Sequence, residues 1–207
     1  VYEKEPQAGG QVRLAASVPN RAEFGDMIRN QLAECRRLGV TIEHGIGVWP
    51  GFVTERAPDH VIVATGAEAQ RPWWVPGDAS NVLDVREVLS GSAERGPDTG
   101  DAVVVVDEIG FHHATSVAEL LADRGCHVEI VTPGMVVGQD LGITLDMENW
   151  WMRAGEKGIV QTTDLIVTGM DGHTLNLQHH PTGTNLTRTP DWVVLAVPAN
   201  PVEWLYN

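Results

Sequence analysis

Ala102-Val103-Val104-Val105-Val106-Asp107-Glu108-Ile109-Gly110-Phe111-His112-His113 is the stretch whose reading decides the fold. Residues 102–106 form an apolar run of strand length, too short to be a core helix. The charged turn after it holds one glycine, and over 113–124 the apolar residues Val117, Leu120 and Leu121 recur at helical spacing. A second apolar run occupies 127–131. Strand, helix and strand in that order predict one βαβ unit, and so a parallel sheet.

Working outward, residues 90–101 carry three glycines, one proline and several charges, which marks a domain boundary. Beyond the βαβ unit, helical periodicity covers 145–157, and strands are expected at 159–162, 164–168, 174–179 and 192–197. Upstream, a strand tail at 1–3 leads into the loop Gln7-Ala8-Gly9-Gly10-Gln11. Phe24, Ile28, Leu32 and Cys35 then place a helix over 21–38, stopped by Gly39. Short strands are expected at 40–42 and around Ile46 and Val48, and 60–64 reads as a buried strand closed by Thr65-Gly66. The expected organisation is a first domain over 1–90, a second over 101–190, and a return to the first over 191–207.

With 207 residues, 43% of them hydrophobic, the chain can bury a real core. Its net charge of -14 works against nucleic acid and anionic lipid surfaces, so neither is an expected partner. No apolar stretch has membrane-spanning length. Two cysteines, Cys35 and Cys126, suit a reducing compartment such as the cytoplasm, and there is no Cys-x-x-Cys redox motif. The opening Val1-Tyr2-Glu3-Lys4-Glu5 has the composition of an interior segment, so the chain is expected to be an internal piece of a longer polypeptide.

In a dinucleotide fold, an acidic side chain ending the second strand hydrogen-bonds the adenosine ribose. Glu3 stands where that residue would stand. Gly9-Gly10 follows, and paired glycines let backbone N–H groups approach a pyrophosphate without a clashing side chain. Alone, each feature reads as an ordinary strand end or turn. The third element, Val61-Ile62-Val63-Ala64-Thr65-Gly66, ends a strand in small residues past which a ligand could run.

Together with the quoted βαβ unit, Pro19-Asn20-Arg21-Ala22-Glu23-Phe24, Leu38-Gly39-Val40, Ala118-Glu119-Leu120-Leu121-Ala122 and Asp191-Trp192-Val193-Val194-Leu195-Ala196, these elements resemble one family along the whole chain. It is the C-terminal dinucleotide-binding region of old-yellow-enzyme-like NADH:flavin oxidoreductases, which include 2,4-dienoyl-CoA reductase, trimethylamine dehydrogenase and histamine dehydrogenase. The resemblance implies an α/β, Rossmann-like two-dinucleotide-binding flavoprotein fold whose first half lacks its first strand and Gly-rich turn. It implies FAD or ADP at Glu3, Gly9, Gly10, Gln11, Val48, Ala64, Thr65 and Gly66. It also implies an upstream flavin barrel of the same polypeptide carrying FMN and an iron-sulfur cluster, and it is compatible with a homo-oligomer. The isolated piece is expected to be inactive.

The second unit's nucleotide site would use Gly110 and His112, but Asp107 and Glu108 would face a pyrophosphate there with two negative charges. A helix N-terminus offers only about half a unit of positive charge, which disfavours NAD(P)H. The pairs His112-His113 and His179-His180 point apart and lack a completing ligand set, so no metal is expected. Trp73-Trp74 and Trp150-Trp151 read as packing residues. No nucleophile turn supports hydrolysis, and no residue is assigned a catalytic role. The resemblance implies a flavin-dependent oxidoreductase, with a non-catalytic nucleotide-binding or assembly module as the alternative.

Overall fold

The structure, a computed structural model, describes residues 1–205. It divides into two units, Val1–Glu68 with the segment from Ala199 onward, and Ala69–Pro198.

In the first unit, β1 (Tyr2–Glu3) is followed by α1 (Gly10–Ala15), α2 (Phe24–Arg37), β2 (Glu43–His44), α3 (Pro50–Arg56) and β3 (Ala67–Glu68). The predicted helix over 21–38 forms over a shorter span. Asn20 takes a left-handed φ of 60° before it, and at its end Gly39, at φ 71°, lets the Val40 amide bond back to the Cys35 carbonyl. Strand pairing falls on Glu43–His44, parallel to β1, rather than on 40–42. The strand expected around Ile46 and Val48 does not form. Pro50 has no N–H to give a ladder, and its fixed φ instead starts the helix α3. Phe52 of that helix is buried, its ring 4.9 Å from Tyr2 and 5.1 Å from Trp49, with the Arg56 guanidinium 4.1 Å above it.

The largest departure lies at 60–64. No strand forms there, and Ile62 is 93% exposed. A strand is buried by neighbours on both sides, and the two-residue pairing of β1 with β2 offers too small a sheet to cover a third apolar strand.

The second unit carries the main core. Its elements are β4 (Val82–Asp84), α4 (Val85–Ser90), β5 (Ala102–Asp107), α5 (His112–Asp123), β6 (His127–Val131), a 3-10 turn over Gln139–Thr144, α6 (Met147–Glu156), β7 (Val160–Thr162), β8 (Leu165–Asp171), β9 (Thr174–His179), β10 (Thr184–Arg188) and β11 (Trp192–Ala196). Five strands make a parallel sheet in the order β4-β11-β5-β6-β7, and β8, β9 and β10 form an antiparallel meander. Both faces of the sheet are covered, which is why β5 reads as an uninterrupted apolar run. Val103 and Val105 pack with α5 and α6 residues such as Leu121 and Trp150, whereas Val104 and Val106 pack with Leu175 and Leu177 of the meander. Each such buried side chain contributes about 1.5 to 3 kcal/mol of transfer free energy.

The boundary-like stretch at 90–101 opens with the end of α4, whose N-terminus carries a capping box between Asp84 and Glu87, and it lies inside this unit. After β11 the chain returns to the first unit, where β12 (Asn200–Pro201) pairs antiparallel with β3. No described helix is long and apolar enough to cross a membrane.

Candidate functional site

The sequence-predicted contacts of the first unit fall into two groups. One gathers around the turn before α1. Gly9 has φ 117°, and a Cβ there would lie 2.6 Å from Ile28 Cδ1 and 2.9 Å from Arg13 Cγ, so packing against α2 already requires a glycine. Gly10, at φ 46°, has nothing within 4 Å of its would-be Cβ and opens α1 onto free space. The Gln11 amide donates to the Ala67 carbonyl at 3.2 Å, which brings the turn to Gly66. Gly66 has φ 74°, its carbonyl accepts from Val202 N at 3.0 Å, and Thr65 Oγ1 donates to the Val202 carbonyl at 2.8 Å. Ala64 is exposed beside them.

The other group is Glu3 and its loop. Glu3 is half-buried at the end of β1, its carbonyl accepts from Ile46 N, and its Oε1 accepts from Glu5 N at 2.9 Å. Val48 is half-buried in the stretch that follows β2. A carboxylate holding one backbone amide keeps acceptor capacity for a pair of hydroxyls. Glu3 thus keeps acceptor capacity at the end of β1, and Gly10 leaves open space at the start of α1.

In the second unit, Asp107 ends β5 beside Ala196 of β11 and is fully buried. Its Oδ1 accepts from Ile109 N at 3.1 Å and Gly110 N at 2.8 Å, while its Oδ2 has no hydrogen-bond partner. Burial pushes this carboxyl above the ordinary range, against the pull of the two amides, and Asp140 and Glu108 push it further the same way. Burial likewise raises Glu108. Gly110, at φ 72°, accepts at its carbonyl from Asp140 N at 2.9 Å, and His112 Nε2 lies 3.2 Å from Thr144 Oγ1. His113 is held below its usual value, by burial first and then by Arg86. Arg86 itself contacts both oxygens of Asp84 at 3.0 and 3.1 Å.

The other histidine pair serves local structure. His179 Nδ1 lies 2.7 Å from Thr182 Oγ1, and His180 Nε2 lies 3.1 Å from the Pro133 carbonyl. Two arrangements escaped sequence reasoning. Asp140 comes over the turn after β5 from 30 residues downstream, and Arg188 reaches across from β10 to clamp Glu129 at 2.7 and 2.9 Å. Neither has a local signal, because both depend on how the strands are ordered.

A parallel sheet with helices on one face and an antiparallel meander on the other, inserted in the chain between the two segments of a smaller unit, is the α/β fold of the two-dinucleotide-binding class. Over its whole length the chain is 31% identical to N,N-dimethylglycine/sarcosine dehydrogenase of Chromohalobacter salexigens, of which it covers 30%. It superposes with TM-score 0.89 and 25% identity on 6-hydroxypseudooxynicotine amine oxidase of Pseudomonas geniculata, with 99% of this chain and 31% of that one covered. On histamine dehydrogenase of Rhizobium sp. 4-9 the TM-score is 0.86 at 19% identity, covering 100% of this chain and 33% of that one, a likeness of fold. No protein-family model matches. The chain belongs to the dinucleotide-binding region of the old-yellow-enzyme-like flavoprotein oxidoreductases. It spans 18% to 31% of the lengths of the curated relatives it matches.

Proposed function

We propose that this chain supplies nucleotide binding and scaffold to a flavin-dependent oxidoreductase of amine dehydrogenase or reductase type. The end-to-end match to N,N-dimethylglycine/sarcosine dehydrogenase carries the reading, and it makes an N-alkylated amine the proposed substrate class. FAD or ADP is held at its adenosine end by Glu3, with Gly9, Gly10 and Gln11 lining the phosphate approach and Val48, Ala64, Thr65 and Gly66 flanking it. When bound, a flavin supplies reversible electron uptake and release. Glu3 accepts from ribose hydroxyls, and the open space at Gly10 lets phosphate approach the backbone without a clashing side chain. The chemistry itself, with FMN and an iron-sulfur cluster, is proposed for a flavin barrel of the same polypeptide. The two unpaired cysteines fit a cytoplasmic setting.

The test is reduction of a dye acceptor by the purified full-length protein with dimethylglycine or sarcosine as donor. Flavin-dependent turnover supports the reading. A flavin-free preparation without turnover contradicts it.

A further inference from the structure

We infer that the dinucleotide turn of the second unit is closed by its own side chains: Asp107 Oδ1 takes the Ile109 and Gly110 amides that a ligand phosphate would need, and Asp140 lies across the same turn. Pyridine nucleotides are thereby excluded from this unit.

The place is the one at which a ligand would be sought. In the order β4-β11-β5-β6-β7, the chain leaves β5 toward β6 on one side while β11 flanks it on the other, so the carboxyl end of β5 is the switch point of the sheet. Open α/β sheets bind ligands in the crevice outside such a point, through backbone N–H groups of the turn and the following helix. Here the Ile109 and Gly110 donors of that turn are engaged within the chain. Asp107 is fully buried and spans the turn from its base. Above the turn, Asp140 N bonds to the Gly110 carbonyl, and a Cβ on Gly110 would lie 3.9 Å from Asp140 Oδ2. His112 and Thr144 tie the first turn of α5 to the end of the same 3-10 segment at 3.2 Å.

Charge acts in the same direction. Asp107, Glu108 and Asp140 surround a helix N-terminus worth about half a positive charge. Arg86, the cation near His113, is committed to Asp84. A pyrophosphate entering here would displace a buried acceptor from two amides and meet carboxylates in return. The consequence is independent of the flavin reading: whatever cofactor the first unit holds, electrons do not arrive from NADH or NADPH seated in this one.

Hydrogen exchange at the Ile109 and Gly110 amides of the full-length protein, with NADH or NADPH as probe, tests the inference. Both amides should exchange slowly in the wild type and be unchanged by either nucleotide at millimolar concentration. Asp107→Ala should speed their exchange about ten-fold, with the amides of β6 as internal control, and Asp107→Asn, which keeps an oxygen acceptor, should restore most of the protection. Slowed exchange at these amides on adding either nucleotide to the wild type would overturn the inference. So would unchanged exchange in a folded Asp107→Ala. Should that variant fail to fold, the wild-type arm decides alone, and flavin content does not enter the readout.

Discussion

Thr65 and Val202 are 137 residues apart in the chain, and Thr65 Oγ1 donates to the Val202 carbonyl at 2.8 Å. With Val202 N bonded to the Gly66 carbonyl, this contact closes the first unit around the point where the chain leaves for the second unit and comes back. Thr65→Val keeps the shape and removes the donor. It should destabilise the first unit by about 1 kcal/mol and leave the second unchanged, as read by hydrogen exchange resolved by unit.

Glu119 of α5 is buried, 2% exposed, and accepts from Arg153 Nε of α6 at 2.9 Å. Arg153→Met strands that carboxylate in the core and should cost about 3 kcal/mol or more. Adding Glu119→Leu should recover most of the loss. A double variant as unstable as the single in urea melts would show that the pair is not what Arg153 supports.

Glu129 is buried enough to raise its carboxyl, yet bonds from Arg188 and Thr162 outweigh burial and hold it below the usual carboxylate range. A depressed folded-state value contributes stability that is present above the unfolded value, roughly 4.3, and is lost as pH falls through the folded one. The second unit should therefore lose stability on acidification, and Glu129→Gln should flatten that part of the curve. A wild type and variant with parallel acid profiles would contradict the assignment.

Asp107 has the opposite sign. Its folded-state value is raised, so its contribution is present below the unfolded value and lost as pH rises through the folded one. Asp107→Asn should stabilise the unit at alkaline pH and lose that advantage in acid. Thermal melts across pH check this, and an advantage that grows toward acid would refute it.

The second unit was legible because its periodicities answer one another. The runs at 127–131 and 192–196 are strands that pair on either side of the strand at 102–107, so each pattern finds its neighbour within the unit. The run at 60–64 has the same composition, but composition reports a preference for burial rather than the presence of a sheet to be buried in. Glycines were legible as turns and less so as sites. Gly9 is required by Ile28 of α2, whereas Gly10 is open, and nothing in the dipeptide separates the two. Asp140 and Arg188 belong to the same lesson, since their partners are set by tertiary order. Ile62→Ser should accordingly change the stability of this chain by less than about 0.5 kcal/mol, against about 2 kcal/mol or more for a buried strand residue.

The central claim, that the first unit holds a dinucleotide by its adenosine end, is tested most directly by titrating FAD into the flavin-stripped full-length protein. Glu3→Ala removes charge-assisted hydrogen bonds worth about 1.5 to 3 kcal/mol and should weaken binding roughly ten-fold or more. Glu108→Ala, in the other unit, should leave the affinity as it is. Equal FAD affinity in the wild type and Glu3→Ala would contradict the account.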